Sequence, residues 1–151
     1  MQAIKVLIIT GSESDLSRMQ PSQEMLEKLG ITSEMVVASA HRNPEKVKAL
    51  VGEAEESGAE VIIAGAGMSA ALPGVVAALT DLPVIGVPTK SAALDGMDSL
   101  LSIVQMPSGV PVATVAIDGA KNAGILAVQI LSVKYPDLRE AVRKHKESLK
   151  G

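Results

Sequence analysis

Val61-Ile62-Ile63-Ala64-Gly65-Ala66-Gly67-Met68-Ser69-Ala70-Ala71-Leu72-Pro73-Gly74 decides how this chain folds. It opens a run of 20 uncharged residues, Val61 to Thr80, which is the length of a membrane span. Gly65, Gly67, Pro73 and Gly74 fall in that run, and a lone helix in lipid could not absorb them. The run therefore reads as a buried strand (Val61 to Ala64), a glycine bend, and an apolar helix from Pro73 to Leu79. A strand that ends in glycines lets a ligand approach bare backbone amides. The centre of this bend has no ionisable side chain. Ser99 to Ile117 is also uncharged, and Pro107, Gly109 and Pro111 break it in the same way.

Outward from the bend, short apolar runs alternate with helical periodicity. Ile4 to Thr10, Ser33 to Val37, Pro83 to Val87 and Val112 to Ala116 read as the other strands. Glu24 to Leu29 is helical and stops at Gly30, while Asp15 and Pro21 compete as its start. Pro44 opens a helix in which Val47, Leu50, Val51 and Ala54 recur at i, i+3, i+4 and i+7. Asp98 to Gln105 and Asn122 to Leu131 are helical. A tail helix from Pro136 puts Leu138, Ala141, Val142, His145 and Leu149 on one stripe.

Five β-α units with near-continuous apolar strands imply a parallel sheet covered on both faces. The expected fold is a flavodoxin-like three-layer α/β/α sandwich, strand order 2-1-3-4-5, with an extra C-terminal helix. Residues 1–135 are expected to form the flavodoxin-like body of one domain, and residues 136–151 its helical tail.

Composition narrows the function. Aromatic residues are 1% of the 151, with Tyr135 alone, so no stacking platform for single-stranded nucleic acid exists. A net charge of −3 adds no basic footprint, and nucleic acid is not an expected partner. The absence of Cys excludes disulfides, thiol catalysis and thiolate metal sites. His41 and His145 are too far apart in sequence for a local metal motif, so no metal is expected. The start, Met1-Gln2-Ala3-Ile4-Lys5, runs into a strand without a charged leader and apolar h-region, so a cytoplasmic protein without a membrane segment is expected.

In the 2-1-3-4-5 order a ligand crevice opens between the carboxyl ends of strands one and three. Gly11-Ser12-Glu13-Ser14-Asp15 and Gly65 to Ser69 should flank it, and Ser39-Ala40-His41-Arg42 should reach it from strand two. Ser12 and Ser14 supply hydroxyls suited to phosphate, and the carboxylate of Asp15 suits ribose hydroxyls, unless it is an ordinary helix cap. Arg42 can grip phosphate through paired N–H donors. An imidazole suits proton transfer near neutrality, and His41 is the one expected in the crevice. His145 falls on the apolar stripe of the tail and reads as structural.

Gly65-Ala66-Gly67-Met68-Ser69-Ala70 also matches the dinucleotide pattern GxGxxA, but after the third strand rather than the first. Pro88-Thr89-Lys90 stands where a ribose-binding acid should end the next strand.

Gly11-Ser12-x-Ser14-Asp15, Ser39-Ala40-His41-Arg42, the Gly65 to Gly74 bend and Asp98-Ser99-Leu100-Leu101-Ser102-Ile103-Val104-Gln105-Met106-Pro107 occur in this order in the PurE family of purine-biosynthesis enzymes. Pro111 to Ile117 and Lys121-Asn122-Ala123 extend the resemblance to about residue 135. The resemblance implies a homo-octamer without metal or organic cofactor, its sites near subunit contacts. It implies an imidazole ribonucleotide as substrate, with carbon dioxide held in the pocket. By that likeness Ser12, Ser14 and Arg42 hold the phosphate, Asp15 the ribose, and His41 carries a proton to and from the ring. Ser39, Gly67, Met68 and Ser69 line the substrate pocket.

The bend departs from the family's usual Gly-Ala-Gly-Gly-Ala-Ala-His-Leu-Pro-Gly. Met68 and Ser69 replace its fourth and fifth residues, and Ala71 replaces its His. The rest of the chain follows the mutase branch, so a mutase is expected. Direct carboxylation by carbon dioxide and a non-catalytic nucleotide-binding paralogue are the alternatives.

Overall fold

In the computed structural model, which describes residues 4–151, the five strands form one parallel sheet in the order β2-β1-β3-β4-β5. The strands are β1 (Val6–Thr10), β2 (Ser33–Val37), β3 (Val61–Gly67), β4 (Val84–Thr89) and β5 (Ala113–Thr114). The helices are α1 (Leu16–Lys28), α2 (Pro44–Glu56), α3 (Leu72–Leu79), α4 (Met97–Val104), α5 (Ala120–Leu131) and α6 (Pro136–Ser148). Met1 to Ala3, part of the stretch read as leaderless, lie outside the described residues. The flavodoxin-like sandwich and its strand order are thus as expected. Among the described residues, no helix is long and apolar enough to cross a membrane.

Strand alternation splits the core into two layers. Val6, Ile8, Val61, Ile63, Ile85 and Val87 face α1 and α5, with Met19, Leu26, Ala127 and Val128 closing over them. Leu7, Ile9, Ile62 and Ala64 face the other way, against Val47, Val51, Val76 and Ile103 of α2, α3 and α4. The outer helix α6 adds Val142 to the first layer, with Leu138 and Ala141 packed against it, and His145 is buried.

Several boundaries shift by one or two residues, and three differences have a clear physical cause. First, α1 starts at Leu16 and carries Pro21 in its interior, although Pro21 had the sequence character of a first-turn residue. A 3-10 turn at Glu13–Asp15 leads into it, and tertiary packing overrides the local preference, because Met19, in the turn before Pro21, is wholly buried. Second, β3 continues through the glycines to Gly67. Its register partners on β4 extend to Thr89, so the ladder carries the bend to the rim of the sheet. A Cβ on Gly65 would meet the Met19 thioether at 2.3 Å, so the buried Met19 side chain keeps its place because this residue is glycine. Third, β5 shrinks from the expected Val112 to Ala116 to two residues. It is an edge strand with one neighbour, and Pro111 has no N–H to give a ladder.

At the amino ends of the strands a polar cluster ties the fold together. The Tyr135 hydroxyl donates to Glu60 and accepts from Lys5 at 3.2 Å. Lys5 and Lys134 both pair with Glu60, at 3.3 and 3.1 Å, and their ammonium groups lie 5.3 and 5.2 Å from the Tyr135 ring centroid. Burial works to raise the Glu60 carboxyl, but hydrogen bonds from Tyr135, Lys134 and Lys5 outweigh it and hold the group below its ordinary value. The hydrogen bonds of Lys5 to Tyr135 and of Lys134 to Glu60 raise both lysines.

Candidate active site

At the opposite, carboxyl ends of the strands, the loops after β1, β2, β3 and β4 border one open cavity of about 620 Å³. The β1 loop brings Ser12, Ser14 and Asp15; the β2 loop brings Ser39, His41 and Arg42; the bend after β3 brings Gly67, Met68 and Ser69. Every site residue expected from the sequence thus lines the same space. A second hollow of about 400 Å³ shares Ser12, Ser39 and Arg42 and adds Lys46.

Local hydrogen bonds set these loops. Gly11 N donates to Gly65 O at 3.0 Å, which joins the first loop to the bend. The Ser12 and Ser14 hydroxyls lie 2.8 Å apart, and Ser12 Oγ donates to Asp15 Oδ2 at 3.1 Å. Asp15 stands at the N-cap of α1, but its side chain makes no capping bond. The carboxylate is spent on the serine cluster instead, so the ordinary-cap reading of Asp15 does not hold.

In the second loop, Arg42 N donates to Ser39 Oγ at 3.1 Å, and Asn43 Oδ1 caps α2 by accepting from Lys46 N at 3.2 Å. These bonds fix the backbone and leave the His41 and Arg42 side chains exposed on the cavity wall. In the bend, Met68 takes a left-handed conformation, φ 56°, with its side chain 64% exposed. The following amides fold back on it: Ala70 N donates to Met68 O at 2.9 Å and Ala71 N to Ser69 O at 2.8 Å.

The cavity also contains residues outside the expected binding set: Arg18, Ala71, Leu72, Thr89, Lys90 and Ser91. The signal for three of them was available. The order 2-1-3-4-5 places the end of β4 beside that of β3, so the loop after β4 had to border the bend. Arg18 follows Asp15 by three residues, hence on the same helix face once α1 begins at Leu16. Its guanidinium bonds Asp118 Oδ2 at 2.8 Å, and Lys90 N donates to Asp118 Oδ1 at 2.9 Å.

Chemically, the wall supplies hydroxyls and Arg42 for a phosphate, a carboxylate for a polyol, one imidazole for proton transfer, and a floor without charge. His145 lies on α6, outside this cavity. Among the described residues, no group of three or more His, Asp or Glu side chains could hold a metal ion.

Comparison with known proteins gives a consistent answer. The family described as AIR carboxylase (AIRC) matches residues 5–151. The N5-carboxyaminoimidazole ribonucleotide mutase of Pyrococcus abyssi is 60% identical over 146 residues, covering 97% of this chain and 84% of that one. The chloroplastic phosphoribosylaminoimidazole carboxylase of Vigna aconitifolia is 53% identical over 142 residues, covering 94% of this chain and 26% of that larger protein. The crystal structure of Treponema denticola PurE superposes with a TM-score of 0.88 at 31% identity, covering 96% of this chain and 90% of that one.

Proposed function

Because this chain belongs to the AIR carboxylase family, we propose that it works in purine biosynthesis as a mutase that interconverts 5-(carboxyamino)imidazole ribonucleotide and 4-carboxy-5-aminoimidazole ribonucleotide. The observation that carries this reading is the convergence of Ser12, Ser14, Asp15, His41 and Arg42 on one cavity over an uncharged glycine floor. Ser12, Ser14 and Arg42 hold the phosphate, and Asp15 the ribose. Ser39, Gly67, Met68 and Ser69 shape the wall around the ring.

The reaction proceeds by breaking the bond between the exocyclic nitrogen and the carboxyl carbon. The pair of electrons stays on nitrogen, which takes a proton from His41, and carbon dioxide is released into the cavity. Ring C4 then attacks that carbon dioxide, and the C4 proton returns to His41 as the ring regains aromaticity. No atom is gained or lost. The protein contributes positioning and keeps the carbon dioxide from escaping into water.

A single spectroscopic assay tests this. The purified protein is incubated with each ribonucleotide, with and without bicarbonate, and ultraviolet absorbance is followed. Turnover of the carboxyamino substrate independent of bicarbonate is expected. Turnover of only the amino substrate, and only with bicarbonate, would establish the carboxylase reading, for which the plant relative speaks. Binding without turnover would identify a nucleotide-binding paralogue. His41→Asn is expected to lower turnover by about 10²–10⁴-fold, the usual worth of a positioned acid–base group, with ligand binding largely kept. Unchanged activity would remove His41 from the mechanism.

Residues 136–151 act as the tail of the same domain, supported by the buried Val142 and His145. A homo-octamer is supported by exposed Leu94, Met97, Leu101 and Val104, of which the last three recur along α4. A substrate with so many charges does not cross a bilayer unaided, so the enzyme and its substrate share one compartment, which in this proposal is the cytoplasm.

A further inference from the structure

We propose that Arg18, oriented by Asp118, receives the carboxylate of the substrate at the β4 end of the cavity and so selects carboxylated ribonucleotides over uncarboxylated ones; this rests on the mutase reading. The sheet itself is the ruler. Arg42 follows β2, while Lys90 and Ser91 follow β4, three strand spacings away in the observed order, or roughly 14 Å. A ribonucleotide with its phosphate at Arg42 and its ribose at Asp15 directs its ring across the bend toward β4. The bend has no ionisable side chain to meet a carboxylate. Of the ionisable groups lining the cavity, the two cations besides Arg42 are Arg18 and Lys90.

The arrangement of Arg18 suits this task. Its Nη1 donates to Asp118 Oδ2, which fixes the planar group, and the rest of its five N–H donors remain for a ligand. Asp118 is itself held: it has φ 57°, its amide donates to Pro88 O at 2.8 Å, and its second oxygen takes the Lys90 amide. The Arg18 side chain is 40% exposed, and ion pairs this open contribute little to stability, so bracing alone is a poor account of the assembly. The same end holds an unspent polar group. Thr89 is wholly buried, and among the described residues its Oγ1 has no hydrogen-bond partner. It lies 2.8 Å from where a Cβ on Gly67 would stand.

Calorimetric titration of the intact protein with 5-aminoimidazole ribonucleotide and with 4-carboxy-5-aminoimidazole ribonucleotide tests the proposal. Arg18→Gln is expected to weaken the carboxylated ligand by about 10–100-fold, the range for a lost charge-assisted hydrogen bond, and the uncarboxylated one less than about twofold. KM for the carboxyamino substrate should rise in the same proportion. Arg18→Lys, which keeps the charge but not the fork, should fall between. Equal losses for both ligands, or no loss for either, would overturn the role of Arg18. If the wild-type protein bound neither ribonucleotide, the mutase reading would fail with it, and that outcome is seen before any variant is made.

Discussion

Met68 stands at the centre of the bend in a conformation that costs an ordinary residue about 1–2 kcal/mol. Its thioether is mostly in solvent, so burial returns little of that cost. Met68→Gly should therefore raise stability by about 1 kcal/mol after the extra chain entropy of glycine is set against the relieved strain. Thermal unfolding would read this as a rise of about 2–4 °C, and a fall would mean that the thioether packs on something in solution. At this scale much of the site was legible. Glycines, hydroxyls, one imidazole and one arginine stand after consecutive strands, and topology alone brings them together. Arg18 and Asp118 were not legible. They are 100 residues apart, and nothing local marks either as the other's partner.

Helices α1 and α5 meet where Gly124 faces Ser22 and Met25. A Cβ there would lie 2.7 Å from Ser22 O and 3.1 Å from Met25 Cβ, so Gly124→Ala must push the helices apart. Overpacking costs about 1–3 kcal/mol and the gain in helix propensity returns about 1. A net loss of up to about 2 kcal/mol in denaturant unfolding is expected; an increase would show that the seam is slack. The cluster joining β1, the start of β3 and the α5–α6 connection gives a pH test. Glu60 is lowered from 4.5 in the fold, so its contribution is complete above that value and is lost as pH falls through the folded one. Lys5 and Lys134 are raised from 10.5, so theirs is complete below that value and lost above the folded ones. The stability gap between wild type and Glu60→Gln should thus be flat near neutrality and close below pH 4.5; a gap that persists in acid would exclude the carboxylate as its source. Strands and helices were legible from periodicity. Their ends were not, because packing beneath Gly65 and the lone ladder of β5 decide them.

For the whole molecule, the apolar row on α4 is the test of assembly. Light scattering should give about eight times the 15.6 kDa chain mass, and Leu101→Glu should shift it to smaller species while the fold persists. A wild-type monomer would refute the octamer. The fold class was legible because five apolar strands need cover on both faces; no local pattern could predict assembly, which depends on a surface rather than a core. Tyr135, finally, is the only aromatic side chain, and it is tied to Glu60 at the amino ends of the strands, a full strand length from the cavity. The protein is therefore nearly transparent in the near ultraviolet. An imidazole chromophore can be watched directly against that dark background, even at enzyme concentrations equal to the ligand. Tyrosine emission, for its part, reports whether the fold is intact and is indifferent to what the cavity holds. The molecule thus arrives with two separate optical channels, one for chemistry and one for structure.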